Sequence, residues 1–295
     1  MRKLIRKLAG YFGYDFVKVP ATPLLKKDKQ LQVGKFNLVV PSINPLIYTY
    51  STQKDFASEI ARIASCIRKK YPAMQVVDVG ANIGDTMAIL KGVDDIPVIS
   101  IEGDAFSFSY LEKNSRQFKN VHLVNQYLGE KAGELQVNLD KAGWNTTLVP
   151  DSRATNKVDL KTLDEVLASQ FPGFTNIKLL KIDTEGFDTI ILRGADNLLR
   201  TARPLIYLEY NRDNMQAIKE DGLSTILQLR QKGYNRILFF DDRGRYILTT
   251  DLANTELISQ LHRYADGKNG LIYYYNLCIV PQGDEDIAAE IEKIS

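Results

Sequence analysis

The sequence predicts an α/β chain built on a mostly parallel sheet, with helices covering both faces. Short apolar runs alternate with segments of helical periodicity from Met74 onward. The connections between them are short, as layered α/β folds require. A glycine-rich loop, G-A-N-I-G, follows the first apolar run, and open α/β sheets bind ligands beyond the carboxyl ends of their strands.

The elements follow in order. Met1 to Phe36 holds nine Lys/Arg against two Asp, a net +7, so the rest of the +2 chain carries −5. In MRKLIRKLAGYF, Leu4, Ile5, Leu8, Tyr11 and Phe12 share one helical face and Arg2, Lys3, Arg6 and Lys7 the other. Such a helix either lies on an anionic membrane surface through residues 1–13 or packs on the body with a solvated basic face. Charges interrupt any signal-peptide core. Pro20 to Pro45 reads as a small β element. Gln53 to Lys70 reads as a helix that Pro72 stops. Residues 1–70 are therefore expected to form an N-terminal extension.

The main domain is expected over residues 71–282. Strands are predicted at Val76–Val79, Val98–Glu102, Val121–Asn125, Ile177–Ile182, Leu205–Glu209, Arg236–Phe240 and Leu271–Val280. Helices are predicted at Ile83–Lys91, Ala105–Phe118, Leu163–Ser169, Phe187–Leu199 and Leu223–Lys232. Glu134 to Leu160 breaks the rhythm with short β-like runs. Residues 283–295 read as an acidic, solvated helical tail. His262 reads as part of a polar loop, and the lone His122 as structural or exposed.

At 295 residues, 44% hydrophobic and 25% charged, the composition is that of an ordinary globular protein. No apolar stretch reaches the roughly 20 residues of a membrane span. Cys66 and Cys278 are too few for a disulfide framework. A cytoplasmic setting is expected, with peripheral contact at the cytoplasmic membrane face if residues 1–13 bind lipid.

Asp78 sits near the end of the first strand of the domain, and Gly80, Asn82 and Gly84 form the loop behind it. The spacing is not the G-x-G-x-x-G of dinucleotide sites. An acid beside the loop is poor company for phosphates and good company for an ammonium or sulfonium. Glu102 ends the second strand, where an acid accepts hydrogen bonds from ribose hydroxyls.

DVGANIGDT, SIEGD, LKIDTEGFDTIILRGA and RPLIYLEYN, in that order from Val76 to Asn211, resemble the FkbM-type S-adenosylmethionine-dependent methyltransferases. GELQVNL…NTTL…VDLKTLDEVL also resembles that family between its third and fourth strands. The resemblance implies a Rossmann-like, seven-stranded class I methyltransferase sheet with its last strand antiparallel. It implies S-adenosylmethionine as cofactor and O-methylation of a hydroxyl on a glycan, glycolipid or related metabolite. Asp78, Gly80, Ala81, Asn82 and Gly84 then surround the methionine part. Asp85 and Thr86 start the next helix and reach the cofactor carboxylate or its water. Glu102 takes the ribose and Gln126 the adenine edge, with Tyr127 standing where the family often has a small residue.

Asp183, and after it Glu185, are the candidate bases for the acceptor hydroxyl. The alternative is that both only position cofactor and loop. Glu209 and Asn211 are expected to touch substrate, and no metal is expected. Trp144 either stacks on a sugar face, with Asn145 bonding its hydroxyls, or packs in a hairpin. The alternatives in function are a non-catalytic S-adenosylmethionine-binding module and a nucleic-acid methyltransferase. The net acidic body after Phe36 disfavours the latter, so no nucleic-acid partner is expected.

Overall fold

The computed structural model describes residues 28–53, 55–142, 145–268 and 272–295. The segment 1–13 and Trp144 lie outside the described residues, as does the side chain of Asn145.

Strands β1 (Asp28–Val33) and β2 (Phe36–Pro41) form an antiparallel hairpin. Two short helices follow, α1 (Leu46–Thr52) and α2 (Ser58–Lys70). Ile60, Ile63, Ala64 and Ile67 are the buried stripe of α2, at the spacing the sequence shows. The alternating run then begins: β3 (Gln75–Val79), α3 (Asp85–Val93), β4 (Val98–Glu102), α4 (Ala105–Ser115) and β5 (Val121–Asn125). Next comes a separate four-stranded sheet of β6 (Tyr127–Leu128), β7 (Gly133–Ala142), β8 (Asn145–Pro150) and β9 (Asn156–Lys161), ordered β6-β9-β7-β8. The chain continues through α5 (Leu163–Gln170), β10 (Ile177–Ile182), α6 (Asp188–Arg193), α7 (Asp196–Thr201), β11 (Leu205–Tyr210), α8 (Arg212–Ala217) and α9 (Leu223–Gln228). It closes with β12 (Tyr234–Phe240), β13 (Tyr246–Asp251), α10 (Thr255–Tyr264), β14 (Tyr275–Pro281) and α11 (Glu285–Ile294).

The large sheet runs β13-β12-β14-β11-β10-β3-β4-β5. From β11 to β5 the pairs are parallel, and β14 lies antiparallel between β11 and β12. Val76, Val77, Ile99, Leu180, Ile206 and Leu208 are completely buried, because helices cover both faces of a parallel sheet. The chain reverses direction across the sheet between β3 and β10, so the switch point lies at their carboxyl ends.

Several expectations need correction. The sheet has eight strands among the described residues, not seven. Asp241 accepts the backbone N–H groups of Arg243 and Arg245 and closes a turn that returns the chain as edge strand β13. The single helix expected over Phe187–Leu199 is two. At the break a Cβ on Gly194 would sit 2.2 Å from the Gly129 carbonyl oxygen, so the chain there must pass bare against the small sheet. The last strand spans Tyr275–Pro281; residues 272–274 precede it outside the strand, and Leu271 lies outside the described residues. His262 lies on helix α10, not in a loop, and is buried with its Nδ1 2.8 Å from Tyr210 Oη. The tail is a helix, yet Ile287, Ala288 and Ile291 are buried. Lys69 and Lys70 of α2 pair with Glu290 and Asp286 across that contact.

Candidate active site

A cavity of about 670 Å³ opens at the switch point. Its floor is made by the chain just beyond five strand ends: Gly80 and Asn82 after β3, Glu102 at the end of β4, Gln126 after β5, Asp183 and Glu185 after β10, and Glu209 and Asn211 at β11. Asp85 and Thr86 also line it. Asp78, Ala81 and Gly84 do not. They stand behind the wall, with Asp78 wholly inaccessible and Ala81 almost so.

Strand register explains the floor. Asp78 of β3 pairs with Lys181 of β10, which pairs with Tyr207 of β11. Side chains alternate along a strand, so these three share one face, and Asp183 and Glu209 follow on that face two residues on. Lys181 is only 4% exposed. Its Nζ lies 3.2 Å from Asp78 Oδ1 and 3.6 Å from Asp183 Oδ2, and it donates to the Gly80 carbonyl at 3.2 Å. Burial opposes its charge, but Asp78, Asp183 and Asp85 outweigh that and hold its pKa above the ordinary lysine value. Burial likewise pushes Asp78 up, with Lys181 opposing. Neither Asp78 oxygen meets a hydrogen bond of good geometry.

The loop after β3 is shaped by close approach. Gly80 has φ +73°, and a Cβ there would lie 1.8 Å from the Asp183 carbonyl oxygen. Asn82 also has positive φ, and its N–H donates to Glu102 Oε2 at 2.8 Å. Asp104 N–H donates to Glu102 Oε1 at the same distance. Glu102 therefore ties two loops together, and burial pushes its pKa up to about 7 against those donors. Carboxylate oxygens offer further lone pairs for a ligand's hydroxyls.

On the adenine side, Gln126 Nε2 donates to Asp159 O at 2.8 Å and Tyr127 O at 3.2 Å. The amide thus staples the small sheet to the main one, and its donating half is committed. The Tyr127 ring lies over Gly103, where a Cβ would meet it at 2.1 Å. Asp85 accepts from Tyr50 Oη at 3.2 Å, and burial raises its pKa despite Lys181.

The turn after β10 is held from behind. Thr184 and Gly186 donate their N–H groups to the buried Asp188, whose pKa burial pushes up to about 7. Asp183 points out with 43% of its side chain exposed. Glu185, in the left-handed region at φ +54°, accepts from Asn214 Nδ2 at 2.6 Å. Glu209 Oε1 accepts from Asn211 Nδ2 at 3.1 Å.

The roof comes from the N-terminal extension and from the turn between β12 and β13. Pro45, Thr49, Phe56 and Glu59 line the cavity together with Asp242, Arg243, Tyr273 and Tyr274. Glu59 accepts from Tyr207 Oη at 2.6 Å. Sequence reasoning missed Lys181, although its place two residues before Asp183 puts both on one strand face. It also missed Glu59, Tyr207 and Asp242, which no local pattern marks.

Eight carboxylate side chains line the cavity against two cations, Lys181 and Arg243, among the described residues. Clefts lined by one sign of charge concentrate the opposite sign. Among those residues no three of His, Cys, Asp and Glu converge as a metal site, and no helix is long and apolar enough to cross a membrane. His122 sits against Phe171 and Phe174, outside the cavity.

The model of the methyltransferase FkbM domain matches residues 78–236, more than half of the chain. Three crystal structures are similar. The methyltransferase FkbM from Methylobacillus flagellatus is 19% identical over 59% of this chain and 42% of that one, with a TM-score of 0.42. A precorrin-6y C5,15-methyltransferase from Geobacter metallireducens is 10% identical over 76% and 87%, with a TM-score of 0.38. A SAM dependent methyltransferase from Aquifex aeolicus is 13% identical over 79% and 97%, with a TM-score of 0.36. The chain thus spans about two-fifths of the Methylobacillus protein's length. No curated protein matches it.

Proposed function

Because the chain belongs to the FkbM methyltransferase family, we propose that it is an S-adenosylmethionine-dependent O-methyltransferase acting on a hydroxyl of a glycan, glycolipid or related metabolite. One observation carries the cofactor assignment. The loop after β3 borders a cavity in which eight carboxylate side chains meet two cations among the described residues. That setting repels phosphates and suits a ligand bearing an ammonium and a sulfonium.

Asp85 and the Gly80–Asn82 loop would hold the amino-acid end, Glu102 the ribose, and Tyr127 with Gln126 Oε1 the adenine. When bound, the cofactor supplies an electrophilic methyl whose C–S bond breaks, leaving its electron pair on sulfur, as the acceptor oxygen forms the new C–O bond. The chain's part is to align the acceptor, exclude water and accept a proton. Asp183 beside Lys181 is suited to face positive charge at the floor. Tyr273, Tyr274, Phe56 and the carboxylates of the roof supply faces and acceptors for a polyhydroxylated acceptor. The basic, apolar-striped segment 1–13 supports peripheral contact with an anionic membrane as part of the same reading.

The test has two stages. S-adenosylhomocysteine, and not NAD, is expected to raise the Tm. Methyl-labelled cofactor then marks a hydroxyl in a panel of sugars, glycolipids and polyols. Stabilisation by NAD alone, or label found only on nitrogen or carbon, defeats the reading.

A pH dependence follows from Glu102. Ribose hydroxyls donate to its ionised form, while the free chain holds its pKa near 7. Binding therefore releases a proton, and affinity for S-adenosylhomocysteine rises about tenfold from pH 6 to pH 8 before levelling. Glu102→Gln is expected to bind more weakly and to flatten that rise. An unchanged slope in the variant assigns the proton elsewhere.

A further inference from the structure

We propose that Glu209 takes the proton of the acceptor hydroxyl, and that the cofactor's positive charge readies it by favouring its ionised form. This rests on the O-methyltransferase reading above.

The geometry separates the three acids at this edge of the cavity. Asp183 has the Lys181 ammonium 3.6 Å away. Glu185 is bonded to the Asn214 amide. Glu209 has only a neutral donor, Asn211 Nδ2, on Oε1. Among the described residues no donor is bonded to its Oε2, and the side chain lines the cavity. Ile182 of β10 pairs with Leu208 of β11, so Asp183 and Glu209 are the next residues of neighbouring strands, roughly one strand spacing apart.

Every element around Glu209 bears on its charge. The β10 turn brings Asp183 and Glu185, with Asp188 behind them on α6. On its other side β14 places Asn276 opposite Glu209, preceded by Tyr274. The β12–β13 turn adds Asp242 and Arg243, and Arg243 is exposed. Glu59 on α2 reaches Tyr207 rather than Glu209. The buried ammonium of Lys181 already lies beside Asp78 and Asp183. Burial, and then Asp183, Glu185 and Asp188, raise the pKa of Glu209 well above the usual carboxylate range. A carboxylate in that position gives up its proton when a cation enters. Oε2 then accepts the acceptor's proton: the O–H bond breaks, its electron pair stays on oxygen, and the proton moves to Glu209.

S-adenosylmethionine and S-adenosylhomocysteine differ by the methyl and the positive charge, so Glu102 contributes alike to both. Isothermal titration in buffers of different ionisation heat counts the protons released by each. The wild type is expected to release more with S-adenosylmethionine. Its preference for that ligand then rises with pH, by up to about tenfold per pH unit, until Glu209 is ionised in the free chain. Glu209→Gln is expected to abolish the difference while binding S-adenosylhomocysteine within about threefold of wild type, and to lower methyl transfer about 10²-fold or more. An infrared difference spectrum of the wild type provides a second readout that needs no variant. A protonated-carboxyl band disappears with S-adenosylmethionine and persists with S-adenosylhomocysteine. Equal proton release from both ligands, or a difference that survives in Glu209→Gln, overturns the proposal. Binding of neither ligand overturns the cofactor reading beneath it.

Discussion

Gly80→Ala is expected to lose S-adenosylhomocysteine binding by about 10²-fold or more. Two penalties coincide. The residue has φ +73°, where an L side chain costs about 1–2 kcal/mol. The new Cβ would also sit 1.8 Å from the Asp183 carbonyl oxygen. That neighbour is backbone, fixed by the Asp183 N–H bond to the Val79 carbonyl at 3.1 Å, so it cannot swing aside. Either the loop or the β10 turn must move, and both form the cavity floor. Gly34→Ala separates the penalties. It has φ +55° with nothing within 4 Å of the added carbon, so it should lose a little stability and no affinity. Titration calorimetry on the two variants decides. Binding by Gly80→Ala within threefold of wild type would refute the close-approach argument.

Lys181→Met should lower the Tm on the order of 10 °C, since stranding a buried charge costs about 3–5 kcal/mol. Asp78 and Asp183 then face each other without the ammonium between them. The deficit has a predictable pH course. The raised pKa of Lys181 means its stabilisation is fully present below the ordinary lysine value and is lost only above it. Across pH 5–8 its own contribution is constant. Asp78, whose pKa is already raised by burial, takes up a proton in the variant as pH falls. The gap to wild type should therefore narrow at pH 5 and widen at pH 8. Melting curves at both values measure it. A gap that does not change with pH would show that Lys181 acts by packing alone.

Much of this floor was legible in the sequence, for a physical reason. Strands buried on both faces are continuous apolar runs, and the acids that end them interrupt that pattern. Asp78, Glu102, Asp183 and Glu209 stood out in this way. Lys181 did not, because a lysine near a strand end ordinarily reads as a solvated side chain. Glu59 and Tyr207 meet across 148 residues of sequence, a separation that leaves no periodic trace. His262 was hidden by composition. In TELISQLHRY the buried positions include Ile258 and His262, a stripe too narrow to announce a helix. Strand β13 follows a turn closed by the Asp241 side chain and by backbone bonds between Asp241, Gly244 and Arg245, so its return to the sheet had no signal in the apolar pattern.

The roof has a consequence of its own. Pro45, Thr49, Phe56 and Glu59 all precede Asp78, where the family match begins. Asp242, Arg243, Tyr273 and Tyr274 follow residue 236, where the match ends, so the whole roof is encoded outside the stretch that forms the floor. Divergence can rewrite the first without disturbing the second. On the proposed reading, changes of acceptor preference should accumulate in the two flanking stretches, upstream of residue 60 and beyond residue 236.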